Sequence, residues 1–185
     1  MIWTNNSQRY GVVSQLVHWL SVLFVGIAWL LGSFGDDLPK GEGREFGEII
    51  HVSAGELIGI LLIIRLIWLL VSRPPEDIPL PIGVAGKYAG KIAHNTLYGL
   101  LFGVVATGIT FQFARGEGLS VFGLYEILSP WTKDRAFAHF VKEIHEFMAN
   151  ALIIVATLHA AAALIHHFIF KDSTLKRMLP SSKNL

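Results

Sequence analysis

The chain has 185 residues, 52% of them hydrophobic and 16% charged, with a formal net charge of +1, eight histidines and no cysteine. A soluble domain carries charge on about a quarter of its residues, so this composition belongs to a protein that lives in lipid. The missing cysteine excludes disulfides, thiolate metal sites, cysteine-held iron–sulfur clusters and covalently attached haem, and the near-neutral charge offers no basic face for nucleic acid.

Four apolar runs reach the roughly 20 residues needed to cross a bilayer. They predict an all-α integral membrane protein, a four-transmembrane-helix bundle forming one domain over residues 1–185. Continuous runs of this length point to helices, since barrel strands alternate over about ten residues. The first span covers about 12–34. Arg9 ahead of it fits a signal peptide, but the length of the run and the presence of His18 mark it as a retained span. Residues 35–47, GDDLPKGEGREFG, form a loop, and the second span follows at about 48–71. The proline-rich stretch SRPPEDIPLPIG, 72–83, cannot continue a helix. The third span lies at about 89–113. Residues 114–136 contain LSVFGLYEIL, too short to cross and expected to lie in the interface or cap the bundle. The fourth span, about 137–170, is longer than a bilayer requires, and its first turns, FAHFVKEIHEF, are polar enough to stand outside the hydrocarbon.

Lys and Arg set the orientation. Nine of the fifteen, Arg65 and Lys183 among them, fall on the side of the two termini and six on the side of the two longer loops. Both termini are therefore expected in the cytoplasm, with the longer loops in the periplasm of a bacterial inner membrane.

Ionisable groups inside a span are costly and mark function. Here they are His18, His51, His94, His145, His159, His166 and His167, with Arg65 and Glu56 on the second span. His145 and His159 are fourteen residues apart, so they fall within about 40° of one helix face and about 21 Å apart along its axis. That is one metal ligand near each side of the membrane. His51, at the loop end of span two, is level with His145; His18, on span one, is level with His159. Two stacked bis-histidine haem b groups follow, since four-helix bundles build cofactor sites from facing side chains. The small residues Gly55 and Gly59 after His51, the glycines of span three and the Ala160–Ala163 run after His159 would give the macrocycles room. His94 is the rival ligand of the inner haem. Arg65, fourteen residues after His51, is placed to pair with inner-haem propionates. His166, about 10 Å beyond His159 along the axis, is placed to hydrogen-bond a quinone headgroup. His139 and His167 read as interfacial, and Glu56 turns away from His51.

The stretches QLVHWL, IIHVSAG, IAHNTLYGLL, VKEIHE and LHAAAALIHHFIFKDSTLKRMLP, with RGEGLSVFG in the third loop, resemble the bacterial cytochrome b561 family over about residues 8–180. The resemblance implies a di-haem membrane cytochrome with haem b held by His18, His51, His145 and His159, and ubiquinone bound near His166. It is nearest to the members that act as superoxide:ubiquinone oxidoreductases, taking electrons from periplasmic superoxide. In those terms Lys142 and Arg115 are the catalytic candidates, cations that draw the anion toward the outer haem. The other activity in view is an electron-relay cytochrome b subunit that anchors a periplasmic redox protein.

Overall fold

The computed structural model describes residues 3–76 and 83–180; Lys183 and the central part of the proline-rich connection lie outside them. Helix α1 covers Val12–Phe34 and runs into a 3-10 turn at Gly35–Asp37; α2 covers Glu42–Val71, α3 Gly83–Ala114 and α4 Arg135–Phe168. All four helices are long and apolar enough to cross a membrane. The second and third begin six residues earlier than the apolar runs alone indicate, because polar first turns extend a helix past the hydrocarbon.

The helix ends follow from local chemistry. Gly11 precedes α1, and the N-terminal arm folds back so closely that a Cβ there would strike the Trp3 and Thr4 backbone. Helix α2 stops at Ser72, two residues before Pro74 and Pro75, because a proline disfavours helical geometry in the residue before it. Helix α4 starts on Asp134, whose side chain accepts from the Phe137 N–H at 3.0 Å, satisfying a donor that the first turn leaves free.

The helices pack in pairs, α1 along α2 and α3 along α4, with α2 also touching α3 and α1 barely touching α4. Helix α2 carries the most continuous buried stripe, Ala54, Ile58, Leu61 and Leu62, at the spacing of a single helix face. In lipid, apolar burial does not drive helices together; close packing and interhelical hydrogen bonds do. A Cβ on Gly59 would meet Val105 at 3.2 Å, and one on Gly103 would strike the flexible end of Met148. Trp29 Nε1 donates to Asn150 Oδ1 at 3.0 Å, tying α1 to α4.

The apolar segment of the third loop is a hairpin. Strands β1, Leu119–Val121, and β2, Tyr125–Ile127, pair antiparallel. It leans on α2: the Phe122 N–H donates to Glu56 Oε2 at 2.9 Å. Glu56 thus serves as the latch of this hairpin.

At the opposite end, the N-terminal arm, the end of α2 and the turn after α4 are clasped together. Asn5 N–H donates to Ser72 Oγ at 2.9 Å, Trp19 Nε1 to the Met178 carbonyl at 3.0 Å, and Arg9 Nη2 to the Leu179 carbonyl at 3.0 Å. The bundle therefore has a loop end, with the hairpin, and a terminal end, with both chain termini.

Candidate functional site

Four histidines on three helices meet in two pairs. The rings of His51 on α2 and His145 on α4 have centroids 6.2 Å apart, and those of His18 on α1 and His159 on α4 are 6.5 Å apart. Metal–nitrogen bonds of roughly 2 Å on both sides of one iron put two imidazole centres about 6 Å apart when both Nε2 atoms face it. Both pairs fit a bis-histidine haem by that measure. Each pair also bridges the two helix hairpins, so a flat macrocycle between its rings would lie between α1–α2 and α3–α4.

The loop-end pair is oriented by its surroundings. His51 Nδ1 lies 2.8 Å from the Ala28 carbonyl, and His145 Nδ1 lies 3.0 Å from the Val104 carbonyl and 3.1 Å from Thr107 Oγ1. A carbonyl can only accept, so each Nδ1 carries the proton and each Nε2 is left as a ligand. Metal-binding histidines are held in this way. Space around them is also set. A Cβ on Gly32 would come within 2.9 Å of His51 Cε1, and one on Gly108 within 3.3 Å of His145 Cε1. Gly55, one turn after His51, and Gly99 on α3 would each meet nothing within 4 Å. The glycines thus divide: Gly59 and Gly103 let helices approach, whereas Gly55 and Gly99 face room that a Cβ would begin to fill.

The terminal-end pair has different neighbours. The His94 ring stands 5.1 Å from that of His159, shorter than a linear arrangement through one iron allows. Arg65 lies within electrostatic reach of His18, His94 and His159. Its Nε donates to Tyr98 Oη at 2.8 Å, with the guanidinium carbon 5.7 Å from the ring centre. Trp68 Nε1, one turn beyond Arg65, is buried with no hydrogen-bond partner. Both residues line a small cavity with Asn5, Tyr10 and Ser14. Unused guanidinium donors beside an orphaned indole N–H suit a carboxylate such as a haem propionate.

His166 sits beyond this pair. Its Nδ1 lies 2.5 Å from Asp172 Oδ2, with the two side chains 15% and 12% exposed. Asp172 in turn accepts from the Thr174 N–H at 2.8 Å. Burial alone would push the Asp172 carboxyl up; its bonds from His166 and Thr174 outweigh that and hold it below the usual carboxylate value.

The two catalytic candidates at the loop end, Arg115 and Lys142, are both paired. Arg115 contacts Glu117 at 2.9 Å and Glu48 at 3.5 Å, and Lys142 contacts Glu146 at 2.7 Å. Neither is a bare charge, although exposed pairs of this kind hold together by about 0–1 kcal/mol. His139 pairs with Glu143 on the exposed face of α4.

Sequence reasoning missed Thr107, Tyr98, Trp68 and Asp172. Tyr98 follows His94 by one helical turn, which was a usable signal. The Ala28 and Val104 carbonyls carry no side-chain signature at all.

A membrane bundle that faces paired imidazoles across its interior at two depths belongs to the class of electron-transferring b-type cytochromes. The family comparison agrees: the sequence pattern of the prokaryotic cytochrome b561 family matches residues 9–181. The chain is 35% identical over 185 residues, all of its own length and 98% of the relative's, to cytochrome b561 homolog 2 of Escherichia coli K12. It is 32% identical to cytochrome b561 homolog 1 of the same organism, covering 95% of the chain and 99% of the relative. It is 31% identical to a probable superoxide oxidase, CybB, of Yersinia pestis, covering 95% and 98%. The chain belongs to the prokaryotic cytochrome b561 family and is a multi-pass protein of the bacterial inner membrane that binds haem b and transfers electrons.

Proposed function

We propose that this cytochrome carries two haem b groups, oxidises superoxide to oxygen at the loop end and reduces ubiquinone at the terminal end. Two superoxide anions, one quinone and two protons give two oxygen molecules and one quinol. The reading assigns the loop end to the periplasm and both termini to the cytoplasm, on the Lys and Arg bias. It rests on one observation above all: two histidine pairs, with centroid separations of 6.2 and 6.5 Å, at two levels of one helix. The relative named as a probable superoxide oxidase supports the choice of donor.

Bound haem b supplies a one-electron carrier at each level. His51 and His145 are the ligands at the loop end, His18 and His159 those at the terminal end. His94 stands beside the inner pair at a distance that suits a ring-edge neighbour. Arg65 and Trp68 hold the inner propionates. Lys142 and Arg115 steer the anion inward, because opening a weak surface pair costs little. At the terminal end Asp172 fixes His166 through Nδ1, leaving Nε2 to hydrogen-bond a quinone oxygen and pass it a proton.

A second reading keeps the electron path and replaces the donor with a periplasmic redox protein, making the chain a relay subunit. The carboxylate partners of Arg115 and Lys142 favour it. So do the exposed apolar side chains of the hairpin, Leu124, Tyr125 and Leu128. The deciding experiment adds superoxide to the purified, oxidised protein and then ubiquinone. Haem reduction followed by reoxidation supports the oxidase. No reduction by superoxide, with reduction by a co-purifying periplasmic protein, establishes the relay.

A further inference from the structure

The terminal end holds a second cavity that the electron path does not use. It is open, measures about 740 Å³, and its lining includes Gln8, Arg9, Ser173, Lys176 and Arg177. Three cations thus converge on one space from two distant parts of the chain. Among the described residues none of them forms an ion pair. Arg9 donates to the Leu179 carbonyl at 3.0 Å and Arg177 to the Glu76 carbonyl at 2.6 Å. A carbonyl orients a guanidinium without cancelling its charge. The nearby Asp172 is committed to His166.

Like charges held together repel, and burial penalises any polar group left without a partner. Arg9 shows the second: its Nε is buried and unpartnered. The backbone nevertheless fixes the cluster, since Tyr10 N–H donates to the Arg177 carbonyl at 3.3 Å and Gln15 Nε2 to the same oxygen at 3.4 Å. Guanidinium forks match phosphate oxygens in pairs, and a lysine adds a point charge. The Ser173 hydroxyl lines the same space. The cavity also lies just beyond the last turn of α4 and the first of α1, where a helix that crosses a bilayer leaves the hydrocarbon.

We propose that this cavity is a phosphate-binding site, and that its occupant is the phosphodiester headgroup of an anionic phospholipid. Basic pockets at the ends of membrane helices recognise such headgroups through these groups. The ligand clamps the N-terminal arm to the turn that carries Asp172 and the C-terminal clasp, so it stabilises that end of the bundle. The site stands apart from the choice of electron donor.

The test uses the full-length haem-loaded protein and native mass spectrometry, with phosphatidylglycerol, phosphatidylcholine and inorganic phosphate as probes. Retained phosphatidylglycerol in preference to phosphatidylcholine is expected. Lys176→Gln should weaken that binding about fivefold, the worth of one basic residue at a membrane surface. Lys91→Gln, an exposed cation near the same end, should leave it unchanged, and an unaltered haem spectrum shows that both variants fold. Binding of inorganic phosphate that competes with the lipid and falls in Lys176→Gln supports the site with a soluble occupant. Equal binding of the two lipids with no phosphate bound overturns the proposal. So does an equal response of Lys176→Gln and Lys91→Gln, or a Lys176→Gln variant that binds like the parent.

Discussion

The two histidine pairs use similar spacings in unlike surroundings. At the loop end each imidazole is locked through Nδ1 onto a backbone carbonyl of a neighbouring helix. At the terminal end the rings of His18 and His159 make no such bond among the described residues; a third imidazole, a guanidinium and an unpartnered indole N–H stand close by instead. A backbone lock fixes a ligand and raises its basicity. A neighbouring cation changes the electrostatic cost of adding an electron. On the proposed function, the loop end would be a rigid entry site, and the terminal end would tune the carrier that meets quinone.

The largest test of this contrast is loss of a ligand. His51→Ala or His145→Ala should halve the haem content measured as pyridine haemochrome, and His18→Ala should do the same, whereas His94→Ala should keep both groups. Two haems in His18→Ala with one in His94→Ala would reverse the inner assignment. Gly32→Ala probes the rigid end more gently. Its methyl would force His51 to move, so a broadened outer-haem spectrum is expected with the inner one unchanged.

Next in size is the quinone end. His166→Ala should retain both haems and slow quinone reduction by about tenfold or more, the typical worth of a positioned proton donor. Asp172→Asn should lower quinone turnover less, and loosen the turn after α4. The sign of its pH dependence is fixed by the depressed Asp172 carboxyl. A lowered folded value means that the contribution to stability is complete above the unfolded value, near 3.8, and is lost only as pH falls through the folded one. Hydrogen exchange of residues 169–179 should therefore stay slow in the parent down to about pH 4 and be fast in Asp172→Asn already at neutral pH. Equal exchange in the two proteins would remove Asp172 from the argument.

Arg65→Gln should lower the midpoint potential of the inner haem by about 40 mV, since one cation's loss of roughly 1 kcal/mol converts at about 59 mV per 1.4 kcal/mol for one electron. The outer potential should hold, and a redox titration resolves the two. The smallest effect belongs to Lys142. Lys142→Gln should slow reduction by superoxide a few-fold at low salt and hardly at all at high salt, because steering is screened over about 10 Å at 0.1 M. A rate insensitive to both the substitution and salt would favour the protein-donor reading.

The spans were legible because the bilayer imposes a length and a composition that the sequence must display: α1 begins and ends where its apolar run does. The level of His145 against His159 was legible too, since helical rise is a constant. The hairpin in the third loop was not, because three-residue strands leave no periodicity to read. Nor was the partner of His166, since Asp172 reaches it only after the chain turns out of α4.

The sequence by itself determined the environment, the number of helices, the non-covalent nature of any haem and the two depths of its histidines, because each is a one-dimensional consequence of composition or of 1.5 Å per residue. Only the tertiary structure decided which rings face each other. It also decided which carbonyls lock them, that Arg115 and Lys142 are paired with acids, and that Arg9, Lys176 and Arg177 share one cavity. Those facts depend on where separate helices and termini meet, and no local pattern encodes that meeting.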